Sequence, residues 1–503
     1  MTPHFIPERP KDANYRTLVI LLDGTGDRDD NDVTNIVMLH KMLSNGKDHP
    51  GNNTEQLVHY REGIGADVAK DYTGLVRYGW NKAKNALDQA VATSFKNHII
   101  AAYSWLAKNY QDNDRICIFG FSRGAYSARA LAGMLKAMGL STTASAEEAY
   151  HLYEEYNDLP PDGPERDKAF SDLLAKWKTF RDDSKHNVRT PLVEFLGCWD
   201  SVNSVGTIDN IKLAYTATND TVRTFRHALA LDERRAKFKQ NIWGPPKRAA
   251  NARGNGDNGP SVVTDVQEVW FAGCHCDVGG GSVLNGTRPN LAHISLRWMI
   301  RECFKARTGM IFSAPDLAKL GIDPSHLYPD VRLRPDVPKA ATGGSQTISV
   351  IEAPKLVPWM KSFVYTTPET VQELTLPYMS EEELDARDAL APLYDQLVLK
   401  SATWQVLESL MIKKIVYDAA TNTFKSEWHR HNSIGRSIPA AENTHGGKIR
   451  VHRTVQMRMQ SVHENGPEKG EPYNPKARVG WGGKFEDKLP FKEVSQDLIE
   501  WVW

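Results

Sequence analysis

The chain lacks most of the features that mark specialised classes of protein. Its 62 Lys and Arg residues balance its 62 Asp and Glu residues, which argues against a strongly basic nucleic-acid-binding protein. No apolar run approaches the roughly 20 residues of a membrane-spanning helix. The first sixteen residues, MTPHFIPERPKDANYR, contain no apolar stretch typical of a secretory signal. We therefore expect a cytoplasmic protein without a transmembrane segment, and a peripheral contact with a membrane stays compatible with the sequence.

Cysteine is scarce: the chain has five in 503 residues, an odd number. Cys117, Cys198 and Cys274 lie within or at the end of apolar runs, a position typical of buried free thiols. Cys274, His275 and Cys276 are residue types that bind metals, but no second cysteine pair with the spacing of zinc ligands exists. The cysteine usage favours a reducing compartment. We expect neither a metal ion nor an organic cofactor.

The hydrophobic pattern alternates between two periods. Four short apolar runs are typical of strands buried on both faces: 17–22, 115–121, 192–199 and 267–274. Three stretches have the apolar spacing of helices: 82–107, 125–139 and 293–306. Strands that alternate with helices predict an α/β fold, here a doubly wound, mainly parallel sheet with helices on both faces.

The length of the chain suits one large domain with insertions, or two domains. We assign the α/β domain to residues 15–310 and an appended C-terminal region that packs on it to residues 311–503, with a helical stretch near 380–415. Residues 145–190 form a charged helical insertion, broken by LPPDGPERD at 159–167. The insertion is either surface decoration or a cap over a site, and the sequence favours neither.

The motif with the clearest chemistry is Gly120-Phe121-Ser122-Arg123-Gly124, which matches G-x-S-x-G. The bare pattern is weak evidence, but here it follows a predicted buried strand and opens a predicted helix, the setting of a nucleophile elbow. Such a sharp turn strains the serine backbone, and small residues two positions before and after it avoid clashes. Ser122 is therefore the predicted nucleophile.

A nucleophilic serine needs a base, and the base needs an acid that orients it. In α/β-hydrolases these residues follow in the order serine, acid, histidine, each just past the carboxyl end of a strand. Asp200 follows the third predicted strand and His275 follows the fourth. The pattern thus predicts Ser122, Asp200 and His275 at one edge of one sheet. If His275 lies away from Ser122, His452 in the run RVHRTV is the alternative base.

Three other aspartates are rival candidates for the acid: Asp277, Asp23 and Asp209. Asp277 more simply shapes the turn at DVGGG. Asp23 ends the first predicted strand, and the loop that follows suits an oxyanion hole in which an N–H of Gly24 or Thr25 joins that of Arg123. The same loop, DGTGDRDDND, lacks the glycine and the distal glutamate of an EF-hand calcium site.

Arg123 begins a predicted helix, where the helix dipole disfavours a cation. We therefore expect it to have an acidic partner. That partner is either a carboxylate of the protein, in a structural ion pair, or an anionic group of the substrate, such as a lipid phosphate.

Several segments together carry a family resemblance: LLDGTGDRDDNDVTNI, GIGA at 63–66, DRICIFGFSRGAYSARALAGML, GCWDSV at 197–202, RHALALDERRAKF at 226–238 and EVWFAGCHCDVGGG at 268–281, with a weaker echo in RVHRTVQMRM and YNP beyond 450. Over about residues 15–305 the chain resembles the fungal and bacterial α/β-hydrolase family that includes the type VI secretion phospholipase effectors. The resemblance implies a hydrolase related to phospholipases A, with the serine, acid and base of the family at Ser122, Asp200 and His275. The chain departs from the family at Cys276, where serine is common, and in the longer insertion at 145–190.

We predict a serine ester hydrolase that acts through a Ser-His-Asp triad and an acyl-enzyme, with lipid esters as the substrate. Two alternatives stay open. A soluble esterase or thioesterase for small acyl substrates would explain an insertion that is charged rather than apolar. A catalytically silent scaffold would use the fold to bind a partner. We expect no nucleic-acid partner, and the sequence gives no oligomeric state.

Overall fold

The computed structural model describes residues 4–10, 12–24, 33–43, 56–63, 80–160, 163–202, 211–235, 238–244, 260–335, 345–350, 372–377, 379–395, 397, 411–418, 423–430, 434–461, 472–480 and 488–503. Within these residues the largest sheet has eight strands, and every neighbouring pair runs parallel. The strands, in chain order, are β1 Thr17–Leu22, β2 Gln56–Arg61, β3 Arg115–Phe121, β4 Val193–Trp199, β5 Val222–Ala230, β6 Asp265–Phe271, β7 Ile449–His452 and β8 Ile499–Val502. Their order across the sheet is β2-β1-β3-β4-β5-β6-β7-β8.

The other described elements are helices and short strand pairs. The helices are α1 Asn35–Met42, α2 Trp80–Asn109, α3 Arg123–Met138, α4 Ala146–Glu154, α5 Pro164–Asp182, α6 His275–Gly279, α7 Ala292–Lys305, α8 Ala314–Leu320, α9 Glu381–Asp388 and α10 Arg453–Gln460. Paired strands outside the sheet are Phe5–Ile6 with Phe312–Ser313, Leu140–Ser141 with Val188–Arg189, Ser345–Val350 with Gln372–Pro377, Met411–Asp418 with Thr423–Arg430, and Arg478–Val479 with both Ser437–Ile438 and Leu489–Pro490.

Both faces of the sheet are buried, as the continuous apolar runs predicted. Successive side chains of a strand point to opposite faces. Leu18, Ile20 and Leu22 of β1 therefore pack with residues of α2 and α3 in one apolar cluster. Val19 and Leu21 pack with residues of α1 and α7 in another. The α/β fold with helices on both faces of a parallel sheet is confirmed.

The strand order reverses beside β1, because β2 lies on one side of β1 and β3 on the other. In open parallel sheets, ligands bind outside the carboxyl ends of the strands at such a point. Asp23 follows β1 there, and Ser122 follows β3. The topology therefore brings the predicted nucleophile to the expected ligand-binding edge.

Residues beyond 310 complete the sheet. Val451 of β7 lies opposite Trp270 of β6, and β8 pairs with β7. The helix expected near 380–415 is confined, among the described residues, to α9. The prediction is wrong for residues 411–415, which belong to the strand Met411–Asp418 that pairs with Thr423–Arg430. The division of the chain at residue 310 stays a prediction.

The insertion at 145–190 is helical, as predicted, and contains α4 and α5. Tyr153 and Trp177 are buried in the cluster that includes α3. The hydroxyl of Tyr153 donates to the carbonyl oxygen of Ala214 at 2.7 Å, and Arg181 donates to that of Ala137, near the end of α3. These contacts involve the carboxyl-terminal half of α3 and the segment beyond β4. A role of the insertion as a cap over a site stays a prediction.

Three further sequence expectations concern thiols, metals and membranes. Cys117, Cys198 and Cys274 are buried and free, as expected. In the described part of the chain, no group of three or more His, Cys, Asp and Glu side chains is arranged to hold a metal ion. The helices of the described segments are each too short or too polar to cross a bilayer.

Candidate active site

The turn between β3 and α3 has the strained geometry of a nucleophile elbow. Ser122 has φ +60° and ψ −124°, a conformation that residues other than glycine rarely adopt. A Cβ atom on Gly120 would lie 2.3 Å from the carbonyl oxygen of Gly124. A Cβ atom on Gly124 would lie 2.3 Å from two carbonyl oxygens at the end of β1. Both flanking glycines are therefore required for the chain to pass this closely, as the motif predicted.

The structure brings Ser122, His275 and Asp200 into one hydrogen-bonded path. The Oγ atom of Ser122 lies 2.8 Å from Nε2 of His275, and Nδ1 of His275 lies 2.6 Å from Oδ2 of Asp200. The three residues are 5%, 3% and 0% exposed. A carboxylate can only accept, so Nδ1 carries the proton and Nε2 is left to accept from the serine hydroxyl. This arrangement can remove a proton from Ser122.

Local backbone geometry aims each side chain into the path. Asp200 directly follows β4 with φ +41°, and its carboxylate accepts from the N–H of Ala230 at 3.0 Å. His275 is placed differently from the prediction, because β6 ends at Phe271 and a turn containing Gly273, at φ +115°, leads to it. His275 is thus the first residue of α6 rather than the residue directly after the strand.

Two phenylalanine rings hold the His275 ring. The ring centres of Phe121 and Phe238 lie 4.7 and 4.8 Å from that of His275. Phe121 belongs to the G-x-S-x-G motif, so this motif supplies both the nucleophile and part of the pocket of the base. Contact with two rings restricts the rotation of the imidazole.

The charges of the pair suit general base chemistry. Burial alone would raise the pKa of Asp200, but the Arg436 guanidinium and the hydrogen bond from His275 outweigh it and hold that pKa well below its usual range. Burial lowers the pKa of His275, and the hydrogen bond to Asp200 opposes this shift only in part. At neutral pH the acid is therefore ionised and the imidazole is neutral, which is the state that can accept a proton.

Arg436 is a site residue that the sequence analysis missed. Its Nη2 donates to Oδ2 of Asp200 at 2.8 Å, and its Nη1 donates to Oδ1. The residue lies in the run NSIGRSIP, which contains no recognisable motif and is 236 positions from Asp200. No local signal pointed to it.

Glu233 and Arg235 were also missed as site residues, although the segment DERR carries part of the family resemblance. Oε2 of Glu233 accepts from the backbone N–H of His275 at 3.2 Å. Arg235 donates to both carboxylate oxygens of Glu233 at 3.0 and 2.9 Å, and its guanidinium stacks 3.4 Å above the ring of Phe238. Burial would raise the pKa of Glu233, but the charge and hydrogen bonds of Arg235, together with the charge of Arg436, lower it to about 2. An ionised glutamate therefore anchors the backbone of His275.

Asp277, a rival acid, serves the turn. Its Oδ2 accepts from the backbone N–H of Cys274 at 2.9 Å and from that of Tyr394 at 3.0 Å. The first of these bonds caps α6. Burial raises the pKa of Asp277 to about 6. The structure thus places this carboxyl on the backbone, while the ring nitrogens of His275 face Ser122 and Asp200.

Asp23, the acid at the end of β1, ties the strand to its surroundings. Its Oδ1 accepts from the N–H of Gly24 and from the hydroxyl of Thr34, each at 2.7 Å, and its Oδ2 accepts from the hydroxyl of Tyr60 at 3.1 Å. Burial raises the pKa of Asp23 to about 6. The N–H of Gly24, expected in an oxyanion hole, is therefore engaged by Asp23 in this structure. Thr25 and Asp209 lie outside the described residues.

Two expectations from the sequence concern residues around this path. Arg123 opens α3 and is half-buried, and its expected acidic partner stays a prediction. His452, the alternative base, is buried at the end of β7, where Nδ1 lies 2.9 Å from the hydroxyl of Thr454 and the ring stacks on Phe271. Since His275 faces Ser122, the condition under which His452 would replace it is not met.

Comparison with known proteins adds to this geometry. Residues 16–302 match the family described as T6SS, phospholipase effector Tle1-like, catalytic domain. An uncharacterized protein of Saccharomyces cerevisiae is 35% identical over 239 residues, which cover 46% of this chain but only 33% of the yeast protein. Two solved structures are similar. An uncharacterized protein from Pseudomonas aeruginosa is 18% identical with a TM-score of 0.30, over 59% of this chain and 46% of that one. The Tle1 effector bound to the VgrG spike from the type 6 secretion system is 17% identical with a TM-score of 0.26, over 67% and 65% of the two chains.

Proposed function

Since this chain belongs to the family of Tle1-like phospholipase effector catalytic domains, we propose that it is a serine hydrolase that cleaves carboxylic esters of lipids. The observation that carries the proposal is the hydrogen-bonded path from Ser122 through His275 to Asp200. A strained turn with two required glycines holds the serine at the start of this path. Hydroxyl nucleophiles are activated by such an adjacent base, which a third group orients.

In the proposed reaction, Nε2 of His275 takes the hydroxyl proton of Ser122 as Oγ attacks the ester carbonyl carbon. The carbonyl electron pair moves to its oxygen, and Asp200 stabilises the imidazolium. When the oxyanion collapses, the ester bond to the alcohol breaks, and His275 gives its proton to the leaving oxygen. Water, deprotonated by His275, then attacks the acyl-serine. The fatty acid leaves, and the proton returns to Ser122.

The oxyanion needs donors that point to the position of the developing charge. The backbone N–H of Arg123 is the first proposed donor, because it lies in the first turn of α3, next to the nucleophile. The second comes from the loop after Asp23. Thr25 is the simpler choice, because the N–H of Gly24 would first have to leave the Asp23 carboxylate.

A lipid substrate is supported by the family, and a phospholipid is the finer proposal. A soluble ester of a small acyl group is the second candidate. It is favoured by α5, whose sequence PERDKAFSDLLAKWKTFRD is rich in charge, whereas a lid that contacts lipid is expected to be apolar.

The test is turnover of a panel of phospholipids and short-chain esters by the wild-type protein and by Ser122→Ala. Ser127→Ala is the matched control. Ser127 is a buried serine of α3, the helix that follows Ser122, and its hydroxyl donates to a backbone carbonyl oxygen. We expect Ser122→Ala to lose about 10⁴- to 10⁶-fold in kcat, the range seen when a member of a catalytic triad is removed. Ser127→Ala should keep its activity. Equal turnover by wild type and Ser122→Ala would contradict the proposal. Hydrolysis of phospholipids at least as fast as that of short-chain esters would support a lipid substrate over a small ester.

A further inference from the structure

Besides the neutral His275, the carboxylate of Asp200 has a charged partner, Arg436, which comes from beyond the family-matched residues 16–302. The two terminal nitrogens of Arg436 donate hydrogen bonds to the two oxygens of the carboxylate, one to each. The side chains of Arg436 and Asp200 are 3% and 0% exposed. Two-point contact of a planar guanidinium with a carboxylate fixes direction as well as charge.

The guanidinium of Arg436 also donates hydrogen bonds to backbone carbonyl oxygens. Nη2 donates to the carbonyl oxygen of Phe238 at 2.6 Å, and Nη1 donates to that of Ala230 at 3.2 Å. Phe238 is one of the rings against His275, and Ala230 is the residue whose N–H binds Asp200. Arg436 therefore joins the acid, the ring that contacts the base and the end of β5 in one rigid unit.

A carboxylate without access to water is costly to keep ionised unless a cation lies beside it. Asp200 at 0% exposure is in that position. We propose that Arg436 is a positioning residue, which orients Asp200 toward His275 and sets how readily the Asp200–His275 pair binds a proton. This inference rests on the proposed function.

The other charged groups around the pair are themselves balanced. Glu233, at the backbone of His275, is paired with Arg235. His227 lies near Asp200 but bonds Glu268 through Nδ1 at 2.9 Å and accepts from the N–H of Ser201 through Nε2 at 3.0 Å, so its ring is neutral. Among the residues that the structure describes, Arg436 is therefore the cation that acts directly on the Asp200 carboxylate.

The direction of the effect follows from charge. Asp200 and His275 share a hydrogen bond and titrate as a pair. Removal of the adjacent positive charge makes the first proton bind this pair more readily, whichever of the two residues receives it. A pair that holds this proton cannot act as the base. The acidic limb of kcat/KM against pH must then move to higher pH, by about 1 unit or more for a charge in direct contact.

The experiment measures kcat/KM from pH 4 to 9 for the full chain, with an ester that the wild-type protein hydrolyses. Arg436→Gln removes the charge and is expected to raise the acidic limb by about 1 unit or more, with a loss of kcat on the order of tenfold or greater at pH 7. Arg436→Lys keeps the charge but not the two-point contact. Its acidic limb should stay near that of wild type, while its kcat falls.

Arg458→Gln is the matched control. Arg458 is a buried arginine of the same region that donates to the carbonyl oxygens of Ala389 and Ala391. Its replacement should lower the melting temperature and leave the acidic limb in place. If Arg436 had a purely structural role, Arg436→Gln would likewise lower the melting temperature and leave the acidic limb in place.

Each outcome decides the proposal. A folded Arg436→Gln with the acidic limb of wild type would overturn it. If Arg436→Gln does not fold, Arg436→Lys decides, and a kcat equal to that of wild type would overturn the positioning role. Undiminished turnover by Ser122→Ala would instead contradict the proposed function, so the two failures are distinguishable.

Discussion

Replacement of Asp200 by asparagine tests the orienting acid, and the contacts of Asp200 set the expected size of the effect. The carboxylate accepts from Nδ1 of His275, from the N–H of Ala230 and from both terminal nitrogens of Arg436. An asparagine has one acceptor oxygen, so its NH₂ group must face a donor of Arg436 in either orientation, together with Nδ1 of His275 or the N–H of Ala230. The amide also cannot stabilise an imidazolium. The precedent for this change in serine proteases is a loss on the order of 10⁴ in kcat, or about 5 kcal/mol of transition-state stabilisation.

The same change has a predictable cost in stability. Arg436 would keep its bonds to backbone carbonyls but would lose its counter-charge in a buried position. Loss of one partner of a buried ion pair costs about 3–5 kcal/mol. Turnover of Asp200→Asn should therefore be measured at low temperature, beside its melting temperature and its circular dichroism spectrum, so that a loss of activity is not confused with a loss of fold.

Asp277→Asn is the matched control, because Asp277 is equally buried and lies two residues from His275. The oxygen of an asparagine can accept from the N–H groups of Cys274 and Tyr394, so we expect most activity to remain and stability to change by about 1 kcal/mol. A folded but inactive Asp277→Asn, together with an active Asp200→Asn, would refute the assignment of the acid.

Three further predictions concern pH and packing. Burial lowers the pKa of His275. The acidic limb of the plot of kcat/KM against pH should therefore lie below pH 6.5 for the wild-type protein. A limb above pH 6.5 would contradict the neutral resting state of the imidazole. Gly124→Ala adds a Cβ atom 2.3 Å from two carbonyl oxygens and should lower the free energy of unfolding by about 1–3 kcal/mol or more; an unchanged denaturation midpoint would argue against the tight elbow. Burial raises the pKa of Asp23 from 3.8 to about 6, so its contribution to stability is present below about pH 4 and is lost as pH rises through 6. Asp23→Asn should reduce this fall in the free energy of unfolding between pH 4 and 7, and an unchanged fall would show that another group causes it.

The strands that the sequence revealed are those with a continuous apolar run. β1 is wholly free of charge, and β3, β4 and β6 each contain such a run beside one or two charged residues. β5 escaped detection because Arg226 and His227 lie in its centre. Both are buried, and each forms a hydrogen bond with a carboxylate far along the chain, Glu302 for the arginine and Glu268 for the histidine. A pattern of burial based on side-chain polarity cannot anticipate such partners.

The last two strands in the chain were not predicted for a different reason. β7 and β8 have four residues each, too few for a recognisable period. β7 joins the sheet by pairing with β6, which lies far earlier in the chain, and β8 pairs with β7.

The site residues also include some that the sequence predicted and some that it could not. Ser122, Asp200 and His275 follow strands whose carboxyl ends meet at one edge, so sequence reasoning brought them together. Arg436 follows no such rule, because its position beside Asp200 depends on how the C-terminal region packs on the sheet. Glu233 lies in the segment DERR, which carries part of the family resemblance, but its hydrogen bond with the backbone N–H of His275 depends on tertiary structure.

The most direct test of the central claim is the identity of the nucleophile. The full chain is treated with a fluorophosphonate, which reacts with an activated serine, and the modified peptide is identified by mass spectrometry. We predict modification of Ser122, complete loss of labelling in Ser122→Ala and strongly slowed labelling in His275→Asn, since this variant cannot take the proton from Oγ. Labelling of another residue, or of Ser122→Ala at the wild-type rate, would contradict the account.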